Sequence, residues 1–529
     1  MNVKSSPQRR LIILGLDGAT FNLIDPLIDA GVLSVFERLK KEGIYGNMES
    51  TIPPISSPAW SSFQTGKNPD KHGICSFVKI QSDYSVRINN GSNIKGITFY
   101  EHLVNANKNC LIVNLPYTYP PRIKGDLVTS WLTPKEVIND FFYPKTLPEK
   151  FPSLKYYKAY PEEGTDIKWL QNCIEVFMRR FDVLEEAIQH HYNFIFFLFS
   201  MPDWIQHKVF DEIITSQTKR GRMGLEAFKL LNNRLSNLFE SIENDNVIIL
   251  SDHGFKSYKQ QFAINKWLMD EDFLEISNKG ELIDLFIRPS GKVFDISFFA
   301  KYVKKVPSMM HLVRPIYNWV KKISPVEFQV QPKVDMGSTK AFSPLSEETT
   351  IFINDNRFEK PTIHSLEEKQ QVKHEIIKKL SKFDFLEVYD KDKIFEGPHI
   401  DMFPDIIIYS EEVAITKTFF CNKINSSITS QIQSHDKHGI LLAKGPDIKE
   451  GQYLNGCRLI DLAPTILHMN DLPVPLDMDG KVLKKIFKEN SSCLRRKIKY
   501  IKPDNIDLTF KCEKNTKNIE KRLRDLGYI

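Results

Sequence analysis

Short continuous apolar runs alternate along this chain with longer stretches in which apolar residues recur at helical spacing. A run without polar alternation is typical of a strand buried on both faces of a parallel sheet. Such runs lie at Leu11–Leu16, 110–114, Phe194–Phe199, 247–250, 405–409 and 440–442. Helical spacing is found at 21–42, 166–190 and 224–244. Because strands alternate with helices, the pattern predicts a three-layer α/β/α sandwich with a mostly parallel central sheet.

Two regions depart from this alternation. Residues 78–152 are rich in Pro, Tyr and Asn, and we expect loops and short strands over the sheet edge there. Residues 261–337 mix basic and aromatic residues in short helical patterns, which indicates an inserted cap that shapes substrate access. The predicted organisation is therefore a catalytic core formed by 1–260 and 338–480, this cap, and a tail at 481–529.

The net charge of +6 is concentrated in the tail, which carries about 15 Lys and Arg against about 6 Asp and Glu. Such a tail is most often a solvated helix, although it can also contact nucleic acid or an anionic membrane. We expect no nucleic-acid binding. The apolar and charged fractions, 41% and 26%, are those of an ordinary soluble globular protein.

The seven cysteines are scattered, odd in number and without CxxC spacing, which argues against a disulfide scaffold or a thiolate zinc site. The first apolar run ends at Asp17 and is too short for a signal peptide. No later apolar stretch is long enough to cross a bilayer. These features predict a cytoplasmic protein without a transmembrane segment.

Residues of metal-ligand type lie at the ends of several apolar runs. They are Asp17, Asp203 with His207, Asp252 with His253, and His435 just before the run at 440. The carboxyl ends of strands in open α/β sheets are where ligands bind. Asp203 and His207 share one helix face at i, i+4 spacing. A mixed Asp and His set without Cys suits Zn, Mn, Fe or Mg, with Zn or Mn favoured.

Each of these residues has a simpler interpretation when taken alone. An Asp after a strand is often a helix N-cap, which applies to Asp17, and His207 could be a packed surface histidine. If the four segments were unrelated helix caps, all four would rarely carry residues of metal-ligand type. Their occurrence together therefore favours a metal site.

A fifth segment combines prolines and serines, from Pro53 to Trp60. The prolines stiffen the backbone, and Ser57 before Pro58 is biased to extended geometry. Ser56 can then lie at a helix N-terminus, where amide groups and the helix dipole favour anions. The alternative is that Ser56 or Ser57 merely caps this helix.

In this order, the five segments resemble the alkaline phosphatase superfamily, and within it the type I phosphodiesterase/nucleotide pyrophosphatase group. The resemblance extends from residue 11 to about residue 480 and includes the stretches 114–121, 461–465 and 477–480. It implies the same α/β/α sandwich, a hydrolase of phosphate esters, and two divalent metal ions, with Zn favoured and Mn or Mg open.

The resemblance also implies roles for single residues. One ion would be bound by Asp17, Ser56, Asp252 and His253, and the other by Asp203, His207 and His435. Ser56 takes the position of the nucleophile, which attacks phosphorus to give a phosphoseryl-type intermediate. His438 competes with His435 for the last ligand position, and the spacing before Gly439 favours His435. His72 is similar to a structural His-Gly element of the family.

Two positions depart from related patterns. Nucleotide pyrophosphatases carry an Asn shortly after the His-Gly element, and here that position is Phe77. Sulfatases of the superfamily need an Arg where this chain has Trp60, which argues against sulfatase activity. The leading hypothesis is a hydrolase of small phosphodiester or nucleotide-type substrates. A phosphomonoesterase or phosphomutase-like enzyme is the alternative, and a transferase acting on an alcohol or lipid headgroup is another; the oligomeric state is left open.

Overall fold

The computed structural model describes residues 9–134, 141–277, 284–287, 328–331, 333–344, 349–401, 403–419, 421, 423–503, 519–521 and 523. The strands of this part are β1 Leu11–Leu16, β2 Ile44–Glu49, β3 Val78–Ile80, β4 Val86–Ile88, β5 Cys110–Val113, β6 Asp126–Val128, β7 Phe142–Tyr143, β8 Phe194–Phe199, β9 Asn246–Leu250, β10 Gly254–Ala263, β11 Asp284–Ile287, β12 Phe328–Gln331, β13 Ala341–Phe342, β14 Thr350–Ile353, β15 Glu387–Asp390, β16 Ile406–Tyr409, β17 Ala414–Thr416, β18 Asn425–Asp436, β19 His438–Lys444, β20 Gln452–Tyr453, β21 Cys457–Arg458, β22 Val474–Pro475 and β23 Tyr500–Ile501.

The α-helices of the described residues are α1 Phe21–Asp29, α2 Ser34–Glu42, α3 Ser56–Thr65, α4 Pro69–His72, α5 Phe99–Asn105, α6 Leu147–Lys150, α7 Asp166–Ala187, α8 Met201–Thr215, α9 Lys219–Ser241, α10 Ile264–Asp270, α11 Leu366–Leu380, α12 Lys391–Ile394, α13 Leu462–Met469 and α14 Ser492–Arg495. Short 3-10 helices lie at Gly91–Asn93, Pro152–Tyr156, Leu459–Asp461 and Lys484–Ile486. The helical pattern at 21–42 is two helices, because the chain turns between them at Gly31, whose φ is +71°.

The central sheet has the strand order β20-β2-β19-β9-β1-β8-β5-β6-β7, with β21 also paired to β2. Its middle strands β9, β1, β8, β5 and β6 are mutually parallel, whereas β19 and β7 are antiparallel to their neighbours. The prediction of a mostly parallel central sheet is therefore confirmed.

Helices cover both faces of this sheet. Within β1, Ile12 and Leu14 pack into a core on one face, while Leu11 and Ile13 pack into a second core on the other. Helices α7, α8 and α9 cover the first face, and α3, α5 and α13 cover the second. Burial on both sides explains why the strands are continuous apolar runs, and the three-layer α/β/α prediction is confirmed.

A separate unit lies beside the sandwich. It contains the four-stranded sheet β13-β14-β16-β15 and the three-stranded sheet β17-β10-β18, with α10 and α11 packed against them. The run at 405–409 was expected in the central sheet, but its strand β16 belongs to this second unit. The expectation was wrong because an apolar run records burial and not the identity of the partner strand.

Residues 78–152 contain the expected short strands β3 and β4 and the predicted strand β5, but they also contain α5 and the strands β6 and β7, which end the central sheet. Of the predicted cap, 261–277 are described and pack into the second unit, whereas most of 278–337 lies outside the described residues. The tail is described up to 503 and at a few positions beyond. No helix among the described residues combines the length and apolarity needed to cross a lipid bilayer.

Candidate metal and phosphoryl-transfer site

The carboxyl ends of three adjacent parallel strands bring the predicted residues together. Strand β1 lies between β8 and β9, and Gly15 pairs with Leu198 on one side and Leu250 on the other. Asp17, which follows β1, therefore lies beside the start of α8 and beside Asp252, which follows β9. The register of the parallel sheet, rather than closeness in sequence, places these groups at one edge.

Three carboxylates are buried at this edge. Asp17, Asp203 and Asp252 are each at most 1% exposed. The Gly18 amide donates a hydrogen bond of 3.2 Å to Asp252 Oδ1, and Gln206 Nε2 donates one of 2.8 Å to the Gly18 carbonyl. Asp17 Oδ2 accepts no hydrogen bond from the described residues. Buried carboxylates with such open positions require a cation to be stable in their charged form.

Ser56 is the first residue of helix α3 and its side chain faces these carboxylates. Its Oγ lies 3.0 Å from His253 Nε2 and 3.4 Å from Asp17 Oδ1. The N-cap of α3 is Ile55, so neither Ser56 nor Ser57 caps the helix. The Ser57 hydroxyl instead shares a 2.6 Å hydrogen bond with Tyr117 Oη. The first amides of a helix have no intrahelical acceptor, so a phosphoryl oxygen beside Ser56 would meet free donors.

The tautomer of His253 is fixed by its own strand end. Its Nδ1 lies 2.9 Å from the Gly254 carbonyl, which can only accept, so Nδ1 carries the proton. The lone pair of Nε2 is thereby directed at Ser56 and at Asp252 Oδ2, which is 3.3 Å away. This is the orientation in which a neutral histidine ligates a metal ion.

A second group forms around Asp203. On α8, His207 Nε2 lies 3.4 Å from Asp203 Oδ1, as the i, i+4 spacing predicts. His435 Nε2 lies 3.5 Å from the same oxygen and 3.0 Å from His207 Nε2. One ion between these three side chains would have a carboxylate and two imidazoles as ligands.

His435 lies just before the strand at 440, as the sequence indicates, since β19 begins at His438. The sequence did not show that His435 itself belongs to a strand, the long β18, which pairs antiparallel with β10. There His435 is opposite Phe255, two residues beyond His253. The sequence of β18 is polar and has no apolar run, so no pattern marked it as a strand.

Asp203 connects the two groups. Its carboxylate belongs to the set with His207 and His435, and also to a set with Asp17 and His253; within each set the ligand atoms lie within 4.8 Å of one another. The donor set of carboxylate oxygens and imidazole nitrogens suits Zn or Mn, and fits two divalent ions. The assignment of each predicted ligand to one ion remains a prediction.

The pKa values of the site reflect the close approach of these buried Asp and His side chains. Burial, and then the charges of Asp252 and Asp203, hold the pKa of Asp17 well above its ordinary value. Burial also opposes ionisation of Asp203, but His207 and His435 outweigh it, so the Asp203 pKa lies well below its ordinary value. Burial lowers the pKa of His253. A neutral His253 is the form that ligates a metal ion, whereas Asp17 has to lose its proton to do so.

Supporting residues that the sequence did not reveal hold this edge in place. The Ser251 hydroxyl donates to the Ala19 carbonyl at 2.7 Å and accepts from the Ile440 amide at 2.8 Å. It thereby connects the loop after β1, the end of β9 and strand β19. Nothing in the sequence distinguishes this serine, because its partners are backbone groups from distant segments.

The turn before α8 has a second support. Asn114 Nδ2, at the end of β5, and the buried Arg180 of α7 both donate to the Leu198 carbonyl, at 3.0 and 3.4 Å. Both also lie 3.4 Å from Ser200 Oγ. This turn leads directly to Asp203, so the two donors fix the start of the helix that carries two candidate ligands.

Several other histidines lie outside the cluster. His438 is 40% exposed, with Nε2 4.0 Å from Glu411. His72 is buried, and its Nε2 lies 2.9 Å from Ser62 Oγ, which fits the structural role suggested for it. His468 is buried against the Cys493 carbonyl, whereas His399 lines a different cavity. His190 packs edge-on against Phe151.

Phe77 and Trp60, the two residues that depart from the sequence patterns of related enzymes, are both buried in apolar surroundings. Phe77 is 1% exposed and packs on Trp131, with ring centroids 5.9 Å apart, so it offers no polar group to a substrate. Trp60 is fully buried on α3, where it packs on Phe63 and Phe196.

Comparison with solved structures shows the same fold. Phosphonoacetate hydrolase from Sinorhizobium meliloti matches with a TM-score of 0.54 and 14% identity, over 86% of this chain and 94% of that one. A mutant of the alkaline phosphatase PafA matches with a TM-score of 0.50 and 14% identity, over 92% and 100%. Murine ectonucleotide pyrophosphatase/phosphodiesterase 5 has a TM-score of 0.48 at 14% identity, over 91% and 100%. No curated protein matches the sequence significantly.

The first two of these matches show that the fold is alkaline phosphatase-like. The sequence profile of type I phosphodiesterase/nucleotide pyrophosphatase matches residues 11–440. The chain belongs to this family, and it is a hydrolase of the phosphodiesterase and phosphatase type that acts on phosphoryl esters.

Proposed function

We propose that this enzyme hydrolyses small phosphodiesters or nucleotide-type esters at a two-metal site, through a covalent intermediate on Ser56. The observation that carries this proposal is the position of Ser56: its hydroxyl begins α3 and lies 3.0 Å from His253 Nε2, beside three buried carboxylates. A serine in that position has a helix N-terminus for the phosphoryl group, and an ion held by His253 and Asp17 would favour its ionised form.

The residues of the chain perform defined tasks in this reaction. Ser56 Oγ attacks phosphorus and displaces the first alcohol, which leaves a phosphodiester-seryl or phosphoseryl group. The amides at the start of α3 donate to the phosphoryl oxygens. Water then attacks the same phosphorus and frees Ser56. Two divalent ions, when bound by Asp17, Ser56, Asp252 and His253 and by Asp203, His207 and His435, would lower the pKa of the serine hydroxyl and offset charge on the phosphoryl group.

Zinc is the ion we propose for both positions, with Mn and Mg as alternatives. The support is the donor chemistry: three imidazoles and the carboxylates of Asp17 and Asp203 lie within reach of one another, with Asp252 3.3 Å from His253 and no thiolate in these groups. Metal analysis of the purified enzyme, followed by activity after removal with a chelator and return of single metals, tests this. Recovery with Mg alone would contradict the zinc assignment.

The nucleophile is tested with Ser56→Ala. We expect turnover to fall at least about 1,000-fold, since removal of a catalytic nucleophile has effects of this order. Ser61→Ala is the matched control, because Ser61 is buried on the same helix and its hydroxyl bonds only to the Ser57 carbonyl at 2.8 Å. Activity retained in Ser56→Ala would overturn the role.

Diester preference is tested with bis-p-nitrophenyl phosphate against p-nitrophenyl phosphate. We expect the higher kcat/KM for the diester. Higher kcat/KM for the monoester would leave the phosphoryl-ester activity standing and replace diesterase with phosphomonoesterase.

Two further proposals concern the context of the enzyme. We place it in the cytoplasm, since the six cysteines of the described residues are all free thiols.

We also propose that 261–337 forms a cap over the substrate site, between core segments 1–260 and 338–480. Cell fractionation tests the first proposal, and substrate kinetics after replacement of the segment 278–327 test the second.

A further inference from the structure

A surface outside the metal site combines exposed apolar side chains with uncompensated positive charge. Leu476 is 60% exposed, Tyr500 61% and Ile501 41%. They lie side by side, because β22 pairs with β23 and the Leu476 amide donates to the Ile501 carbonyl at 2.9 Å. Adjacent large apolar groups at this exposure are a signature of an interaction surface rather than of scattered surface residues.

The chain around these apolar groups is strongly basic. Residues 494–502 contain five cations and no acidic residue: Arg495, Arg496, Lys497, Lys499 and Lys502. We call this surface, formed by these five cations with Leu476, Tyr500 and Ile501, the basic apolar face.

Among the described residues, few acidic groups neutralise this charge. Asp471 forms ion pairs with two of the cations, at 3.1 Å from Lys499 and 3.6 Å from Arg496. Lys497 and Lys502 are exposed and form no ion pair with a residue that the structure describes. The net positive charge of the basic apolar face therefore remains available to a partner.

A cavity of about 570 Å³ opens next to this face, between Pro475 and Pro503 on one side and Lys67, Lys71 and Lys95 on the other. Two of its lysines are already paired, Lys67 with Asp477 and Lys71 with Asp479. Lys95 is exposed and forms no ion pair with the described residues. Glu396 also lines this cavity, so the uncompensated positive charge lies on the basic apolar face itself.

We propose that the basic apolar face docks on the surface of an anionic lipid bilayer. Clustered Lys and Arg are attracted to negatively charged headgroups, and adjacent Tyr, Ile and Leu side chains enter the interfacial region. Lys67 follows the end of α3 opposite to Ser56, and a helix of 10 residues is about 15 Å long. Docking therefore localises the enzyme and leaves the metal site free for substrate.

The test is co-sedimentation of the full-length protein with vesicles of phosphatidylcholine alone or with 30% phosphatidylglycerol. We expect binding to the anionic vesicles only, weakening with added salt. Lys497→Gln combined with Lys502→Gln should weaken binding on the order of 10-fold, because each cation near the surface contributes several-fold. Leu476→Ser combined with Tyr500→Ser should also weaken it.

Matched controls separate this face from general surface effects. Lys79→Gln with Lys259→Gln removes two exposed lysines elsewhere, and Leu366→Ser removes an apolar side chain that is 74% exposed on α11. These variants should bind as the wild type does. All variants should hydrolyse a soluble phosphate ester at the wild-type rate.

Two outcomes would overturn the proposal. One is absence of wild-type binding to anionic vesicles, and the other is undiminished binding by both face variants, which would assign the contact to another part of the chain. Vesicle binding and ester hydrolysis are measured separately, so failure of the proposed reaction would leave this test unaffected.

Discussion

The imidazole rings of His253 and His435 are stacked, with centroids 3.9 Å apart and 26° between their planes. His253 follows β9, the last parallel strand of the central sheet, whereas His435 lies on β18 of the second unit. The two metal groups are therefore built from both units of the protein, and they meet through this ring contact and through Asp203. The site depends on how β10 and β18 pair, which is a long-range feature of the fold.

Metal content tests the shared role of Asp203. We expect His435→Ala to retain about one ion per chain, because only the group with His207 loses a ligand. Asp203→Asn should retain less than one, because its carboxylate belongs to both groups. Elemental analysis after gel filtration measures this, with His438→Ala as a control that keeps two ions. Equal losses in the two ligand variants would contradict a shared Asp203.

Gly18 is required by its backbone and by its neighbour. Its φ is +63°, and an added Cβ would lie 2.8 Å from Asp203 Oδ1. Gly18→Ala should lose about 1–2 kcal/mol of unfolding free energy from the left-handed backbone, together with most activity. Gly31→Ala is the matched control, because its φ is +71° and nothing lies within 4 Å of the added atom. Urea unfolding should show a loss of stability at both glycines and a larger one at Gly18, where the added Cβ also meets Asp203. The kcat/KM should fall only for Gly18→Ala.

Much of this architecture follows from the sequence for a clear physical reason. Parallel strands buried on both faces are continuous apolar runs, and their carboxyl ends share one edge, so Asp17, Asp252 and His253 could be placed together. The fold class was confirmed in this way. Asp203 and His207 also followed, since i, i+4 spacing on a helix is a local property.

What the sequence did not show depends on partners distant in the chain. His435 lies in a polar strand that is stabilised by β10, so no periodicity identified it as a strand residue. The run at 405–409 was placed in the wrong sheet for the related reason that burial does not specify a neighbour. Ser251 and Arg180 bond to backbone carbonyls, and such contacts leave no pattern in the sequence.

Ser251→Ala should destabilise the protein without removing a ligand. The substitution leaves the buried Ala19 carbonyl without the Ser251 hydroxyl and the Ile440 amide without its 2.8 Å acceptor. Unsatisfied buried groups of this kind cost about 1–3 kcal/mol. Chemical denaturation measures the loss, with Ser257→Ala, at a partly exposed hydroxyl, as the comparison. A change below about 0.5 kcal/mol would show that water replaces the lost contact.

His72 should make the folded protein sensitive to acid. Burial, followed by the charge of Lys67, lowers its pKa from 6.5 to about 3. The unfolded chain therefore binds this proton first, and the free energy of unfolding falls as pH drops from about 6.5 towards 3, by up to about 1.4 kcal/mol per pH unit. His72→Gln should flatten this dependence, whereas the exposed His364→Gln should not. Identical slopes for wild type and His72→Gln would refute the assignment.

The covalent step on Ser56 is the central claim, and acid quenching during turnover of bis-p-nitrophenyl phosphate tests it most directly. Mass spectrometry of the digested enzyme should find the phosphoryl-linked group on the peptide that contains Ser56, at a level that rises within the first turnover. Ser56→Ala should carry no such group. An enzyme that turns over the diester with no modified Ser56, or with the group on another residue, would contradict the account.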